Sequence, residues 1–454
     1  MSMIHDVDPA TGEPFAEIPC TTPAELAAAV ARARAAQPAW AAMPASERAE
    51  LIGRLADDLV THTAEIAQLI TREMGKVHKD ALGEVQGYAK NVPLELQEVL
   101  KAIEPERFEG GASETVLVRE PLGVVAAITP WNFPVGMPLS ILIPALATGN
   151  TVVFKPSEHV PLVGAKLAEL LNKHLPAGVL ELVQGEGAVG AQLVDSDVDM
   201  IGFVGSRATG QHIMTAAARD LKRLVLELGG KDPMVVFGDA DLDAAAESAV
   251  RHSLRNTGQV CCAVERVYIE DSVADDFAAR VVAKARDWAH GNGFKESSKM
   301  GPLVSREQRD KVEAQVKDAV ERGAALLLGG TTPDGGGNFY PATVLANVPA
   351  DAQVVRDETF GPVVCLSRFS GDEDEAVAQA NDTPYGLGAN VWTGDKERGA
   401  RVAARLKAGQ VGVNRYLGGA PGTPWVGARQ SGFGFLGGIE GHRQFTTPKT
   451  ICTA

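Results

Sequence analysis

The sequence holds little cysteine: five residues in 454, at Cys20, Cys261, Cys262, Cys365 and Cys452. The number is odd and no C-x-x-C occurs, so a disulfide framework is excluded and a reducing, cytoplasmic compartment is expected. Basic charge is also scarce. Lys and Arg number 43 against 58 Asp and Glu, a formal net charge of −15. Nucleic acid and anionic membrane surfaces are therefore not expected as partners, because both demand basic patches. The nine histidines form no H-E-x-x-H and no Cys/His cluster, and no metal site is expected. The opening Met1-Ser2-Met3-Ile4-His5-Asp6 has neither the basic nor the apolar region of a secretory signal. One long stretch, Pro121 to Phe154, carries no charge and is long enough for a membrane span. Pro130, Pro134, Pro138 and Pro144 interrupt it, with Asn132 and Gly136 between them, so a strand, a polar turn and a buried helix fit better.

Hydrophobic residues at 45% and charged residues at 22% describe a soluble globular chain with room for two or three domains. The first hundred residues read as helices. Thr22-Pro23-Ala24-Glu25 joins an N-cap Thr, Pro at the first helical position and Glu three residues after the cap, opening a helix to about Gln37. Leu51, Ile52, Leu55 and Leu59 then share one face of a second helical stretch. Beyond Thr115–Arg119, which alternates like a half-exposed strand, short apolar runs alternate with helices: 124–128, 151–154, 179–183, 200–204 and 224–226, then 234–237 and 267–269. That rhythm predicts an α/β fold with mostly parallel sheets and a nucleotide-binding domain. No internal repeat or low-complexity segment is present.

The candidate chemistry sits on turns. Cys261 and Cys262 follow Arg255-Asn256-Thr257-Gly258-Gln259-Val260, and a thiol is well suited to attack a carbonyl near neutral pH; a Cys pair beside an apolar strand also serves as plain packing. Glu227, between apolar neighbours and next to two glycines, is either a general base with a raised pKa or a satisfied structural acid. Asn132, in the stiff turn Trp131-Asn132-Phe133-Pro134, is an oxyanion donor or a turn residue bonding its own backbone. Lys155-Pro156-Ser157-Glu158 ends a buried strand where an acid can hold a ribose. Gly205-Ser206-Arg207-Ala208-Thr209-Gly210 opens a helix whose N-terminus suits a phosphate. Gly185-Glu186-Gly187-Ala188-Val189-Gly190 matches G-x-G-x-x-G, but Ala191 to Asp199 does not cleanly offer the Ala-rich helix and then the acid at the end of a second strand that should follow, and a tight loop is expected.

Taken together, Pro130-Trp131-Asn132-Phe133-Pro134, Lys155-Pro156-Ser157-Glu158, Gly205-Ser206 with Gly210, Glu227-Leu228-Gly229-Gly230-Lys231, Gly258-Gln259-Val260-Cys261 and Glu358-Thr359-Phe360-Gly361-Pro362-Val363 resemble the aldehyde dehydrogenase superfamily in its own motif order, over nearly the whole chain. The resemblance implies a Rossmann-type nucleotide-binding domain (1–100 and 122–229), an α/β catalytic domain (230–428) and a small β oligomerisation element (101–121 and 429–454). The last would pair the strand near Thr115 with the tail from about Phe445 in a homodimer or homotetramer. It also implies that Cys261 is the nucleophile, that Asn132 and the Cys261 N–H form the oxyanion hole, and that Glu227 activates the deacylating water. Lys155, Ser157 and Glu158 would hold the adenine ribose, Gly205 and Ser206 the pyrophosphate, and Glu358 the nicotinamide ribose, with Phe360 and Trp131 beside them. The presence of Glu227 favours hydrolysis to the free acid over acyl transfer to coenzyme A. A carboxylate at Glu158 repels a 2′-phosphate, so NAD is expected as cofactor, with NADP possible. Phe133 and Arg255 would meet the substrate.

Arg255 resembles the arginine with which succinate-semialdehyde dehydrogenases grip a carboxylate, although Ser140 stands where that subfamily has a second one. The chain also departs from the family's Gly-Gly-x-Lys-x-Ser-Gly, reading Val426-Gly427-Ala428-Arg429-Gln430-Ser431-Gly432. The alternatives are a neutral or aromatic aldehyde, a cofactor-independent thiol esterase or acyltransferase, and a non-catalytic binding protein on the same fold.

Overall fold

The computed structural model describes residues 2–109 and 114–453. Its first sheet runs in the order Leu180–Leu182, Thr151–Lys155, Val124–Ile128, Met200–Val204, Arg223–Glu227 and Gly432–Phe433. The first five strands are parallel and the last is antiparallel. Both faces are covered. Val125, Ala127, Val152 and Phe154 pack against Leu142, Ile143 and Leu167 on one side, and Val124, Ala126, Val153 and Ile201 meet Leu26, Leu193 and Ile213 on the other. Burial on both faces is why these strands read as continuous apolar runs without alternation.

The second sheet runs Ala325–Leu328, Thr343–Ala346, Val363–Phe369, Val264–Glu270, Asp232–Val236, Gly388–Trp392 and Gln410–Val413. Only its outermost pair, Ala325–Leu328 with Thr343–Ala346, is antiparallel. A third, three-stranded sheet pairs the tail Thr446–Thr453 with Glu114–Pro121, and that strand with Glu106–Phe108. The tail thus meets the partner that the resemblance implied.

Several local expectations can be compared directly. The helix Pro23–Ala42 starts on the capping box: Thr22 N–H donates to Glu25 at 2.8 Å and Glu25 N–H to Thr22 Oγ1 at 3.3 Å. The charge-free stretch forms the strand Val124–Ile128, a turn and the buried helix Gly136–Ala147. Among the described residues no helix is long and apolar enough to cross a membrane.

Three readings need correction. The first twenty residues are not helical but form the hairpin Met3–Asp8/Glu13–Pro19; Asp6 occupies an inward, buried position, which breaks the apolar alternation that marks a strand. Gly185–Gly190 is not only a loop, because a helix, Gly187–Asp195, begins inside it. Within 429–454, Gly432–Phe433 does not join the tail sheet but closes the edge of the first sheet against Leu226–Glu227.

Candidate active site

The cysteine turn is built on strained backbone. The helix Leu242–Leu254 ends and Asn256, Thr257 and Gly258 follow with φ of 51°, 59° and 72°. This is left-handed territory that a β-branched Thr rarely enters, so surrounding bonds must hold it. They do. Asn256 Nδ2 donates to the carbonyls of Asn132 and Gln259, each at 3.1 Å. Thr257 Oγ1 donates to Gly301 O at 3.1 Å, and Gln259 joins Asn256 O and Val304 N. A Cβ on Gly258 would lie 2.0 Å from Gly361 O, so only glycine lets this turn rest on the backbone of the Glu358–Pro362 loop.

Three cavities meet around the result. One of about 420 Å³ lies at the carboxyl ends of the first sheet and is lined by Trp131, Lys155, Ser157, Glu158, Gly187, Gly190 and Gly205. A second, of about 200 Å³, takes in Trp131, Asn132, Ser206, Glu227, Cys261, Glu358 and Phe360. A third, of about 660 Å³, is reached past Tyr88, Phe133, Ser140, Arg255 and Trp425. Cys261 and Glu227 line both the second and the third. The sequence-derived candidates therefore come together: the cofactor-side residues border the first two cavities, the substrate-side residues Phe133 and Arg255 border the third, and the thiol and the acid stand where they join.

A model of the aldehyde dehydrogenase family matches residues 2–451. The chain belongs to the aldehyde dehydrogenase family. It is 38% identical to the succinate-semialdehyde dehydrogenase [NADP(+)] of Escherichia coli, over 99% of this chain and 94% of that one. It is 39% identical to the betaine aldehyde dehydrogenase of Bacillus subtilis, over 91% and 86%. The crystal structure of Staphylococcus aureus betaine aldehyde dehydrogenase in complex with NAD+ superposes with a TM-score of 0.95 at 33% identity, covering 100% of this chain and 91% of that one.

In this aldehyde dehydrogenase the electrostatics follow from burial. Glu227 closes the strand Arg223–Glu227, is 5% exposed, and neither carboxylate oxygen has a hydrogen-bond partner. Desolvation raises its pKa well above the ordinary carboxylate value, with the nearby Trp425 side chain opposing the rise. Asn132 is buried, its Nδ2 donating to Gln259 O at 3.1 Å, which leaves its second amide hydrogen free to donate. The Cys261 N–H makes no backbone hydrogen bond among the described residues. The Cys261 thiol is held above its usual value by its hydrogen bond with Cys262 and by burial. Cys262 is drawn down to about 7, first by that bond, with the Tyr416 hydroxyl at 3.1 Å also helping.

On the wall of the first cavity, Lys155 is buried, with Nζ 3.2 Å from Pro156 O and 3.7 Å from Glu158 Oε2. Ser157 is buried beside it. Ser206 caps the helix Arg207–Ala217, accepting from Thr209 N at 3.2 Å. Trp131 and Phe360 meet edge to face at 5.5 Å. Glu358 accepts from Gly230 N at 3.1 Å, and Gly229 has no room for a Cβ beside it.

Several residues of the site escaped the sequence reading. Buried Lys76 donates to Asn132 O at 2.8 Å and pairs with Glu84, while Glu84 also accepts from Val135 N and Gly136 N. Tyr416 stacks on His252 at 3.5 Å. Only Gln259 had a visible signal, its place in the Gly-Gln-Val-Cys motif; the others reach the site from distant segments.

Proposed function

We propose that this enzyme oxidises an aldehyde to the free carboxylic acid with NAD, NADP serving less well, and that its preferred substrates carry a carboxylate at the far end. The observation that carries the reading is the placement of Cys261 and buried, unpartnered Glu227 on the wall shared by two cavities. The residues of the first cavity fit a dinucleotide: Thr129 Oγ1 is buried there without a partner, a helix N-terminus opens at Ser206, and Glu158 offers a carboxylate to ribose hydroxyls. Lys155, Ser157, Glu158, Gly205 and Ser206 would hold the adenosine half and the pyrophosphate, and Glu358, Phe360 and Trp131 the nicotinamide half. Bound there, the nicotinamide supplies the hydride acceptor.

The chain's own residues do the rest. Cys261 Sγ, once it has given up its proton, attacks the aldehyde carbon as the thiolate. The oxyanion accepts from the free Asn132 amide hydrogen and the Cys261 N–H. Once the carbon is at the thioester level, Glu227 takes a proton from the water that attacks it, and the acid leaves with the thiol restored.

Arg255 supports the anionic substrate. It is half-buried on the wall of the third cavity, its Nε has no partner, and its guanidinium lies 5.4 Å from the Tyr416 ring. Glu84, on the same wall, is already neutralised by Lys76. An unpaired guanidinium in a half-dry cavity favours a carboxylate. The three-stranded sheet, with Phe108 and Ile451 exposed on it, supports assembly as a homodimer or homotetramer. Reduced-nicotinamide absorbance with succinate semialdehyde and with an uncharged aldehyde tests the substrate. Arg255→Ala is expected to lower kcat/KM for the anionic substrate by about 10- to 100-fold and to spare the uncharged one; equal losses on both would remove Arg255 as a substrate ligand.

A further inference from the structure

We infer that the buried ion pair Lys231–Glu265 is a clamp that positions the Glu358–Phe360 loop and thereby sets cofactor affinity. The inference rests on the reading above that Glu358 holds the cofactor. Lys231 and Glu265 side chains are 0% and 6% exposed. Taking a charged pair out of water is costly unless its remaining donors and acceptors are met, and here they are met by one loop. Glu265 Oε2 accepts from Thr359 N at 2.8 Å as well as from Lys231, and Oε1 accepts from Phe360 N at 2.9 Å. Lys231 Nζ also donates to Thr359 Oγ1 at 3.0 Å.

The chain positions give the pair its reach. Lys231 lies on the loop that follows Glu227, and Glu265 lies in the strand Val264–Glu270 that leaves the cysteine turn. The pair therefore ties the segments bearing base and nucleophile to the loop bearing Glu358. Phe360 needs such a hold, since its φ of 54° is left-handed. Its N–H is fixed by Glu265, and its carbonyl accepts from Gln308 Nε2 at 3.0 Å. The pair also acts through charge. Glu358 is pushed up to about 7, chiefly by burial and next by Glu265, while Lys311, the Gly230 N–H and Lys231 oppose the rise.

The test is direct titration of NADH into the full-length Cys261→Ala protein, followed by fluorescence, from about pH 6 to 9, with Glu265→Gln, Gln308→Ala and Glu358→Gln added in turn. Binding to the parent is expected to weaken as pH falls through about 7 and Glu358 takes up its proton. Glu265→Gln offers one acceptor where two N–H groups need one, and should weaken binding about tenfold even at high pH, as loss of an orienting outer partner does. It should also move the pH midpoint downward, because a negative charge beside Glu358 is gone; a purely structural residue would not move it. Gln308→Ala, which loosens the same loop from its other side, should weaken binding without that displacement. If Glu358→Gln weakens binding while Glu265→Gln and Gln308→Ala match the parent at every pH, the clamp is overturned and the cofactor role of Glu358 stands. If Glu358→Gln binds like the parent, both are overturned.

Discussion

At the residue scale the decisive feature is an acid that burial has made reluctant to ionise. Glu227 has a pKa raised well above the ordinary value, with desolvation as the main cause, so the resting site disfavours its carboxylate form. Its carboxylate fraction grows as pH rises, and only the carboxylate can take a proton from water. The rate of acid release under saturating substrates should therefore climb as pH rises, and the pre-steady-state formation of reduced cofactor should climb less steeply. Stopped-flow traces at several pH values would separate the two; parallel slopes would mean that Glu227 does not limit deacylation. The types and order of Asn132, Glu227, Cys261 and Glu358 made them legible in the sequence, because nucleophile, base and oxyanion donor are chemically distinct demands. Lys76, Tyr416 and Glu265 were not legible. Each acts on a backbone or thiol far away in sequence, and only folding brings them together.

At the scale of elements, the strands of both sheets were readable for the same reason that they are stable: buried on both faces, they must be apolar throughout. Where burial is mixed the signal failed, as with the N-terminal hairpin and its inward Asp6, and with Gly187–Asp195, whose glycines mask a helix. The turn that carries Cys261 shows how little tolerance an element can have. Gly258 combines φ of 72° with a blocked Cβ position, 2.0 Å from Gly361 O. Gly258→Ala must move either the cysteine turn or the Glu358–Pro362 loop. A loss of at least about 2 kcal/mol in stability is expected, together with a fall in activity larger than the stability loss explains. Chemical denaturation and kcat on the same preparation would measure both, and an unchanged kcat would show that the turn need not sit where it does.

At the scale of the whole molecule, two mostly parallel sheets bring their loops to one place. The first sheet contributes the wall of the proposed cofactor cavity at its carboxyl ends, where open α/β sheets bind ligands. The second contributes the cysteine turn and the Glu358 loop at the amino ends of its neighbouring parallel strands Val264–Glu270 and Val363–Phe369. Cys261 and Glu227 thus stand on the wall that two cavities share, and in the proposed reaction one would admit the cofactor and the other the aldehyde. The central claim is that oxidation passes through a thioester on Cys261 which Glu227 resolves. Intact-protein and peptide mass spectrometry of Glu227→Gln, mixed with NAD and succinate semialdehyde, tests it most directly. One acyl group per chain on the Cys261 peptide, formed with one equivalent of reduced cofactor and then stalling, is the predicted result. Continued turnover with no adduct, or an adduct on Cys262, would contradict the account.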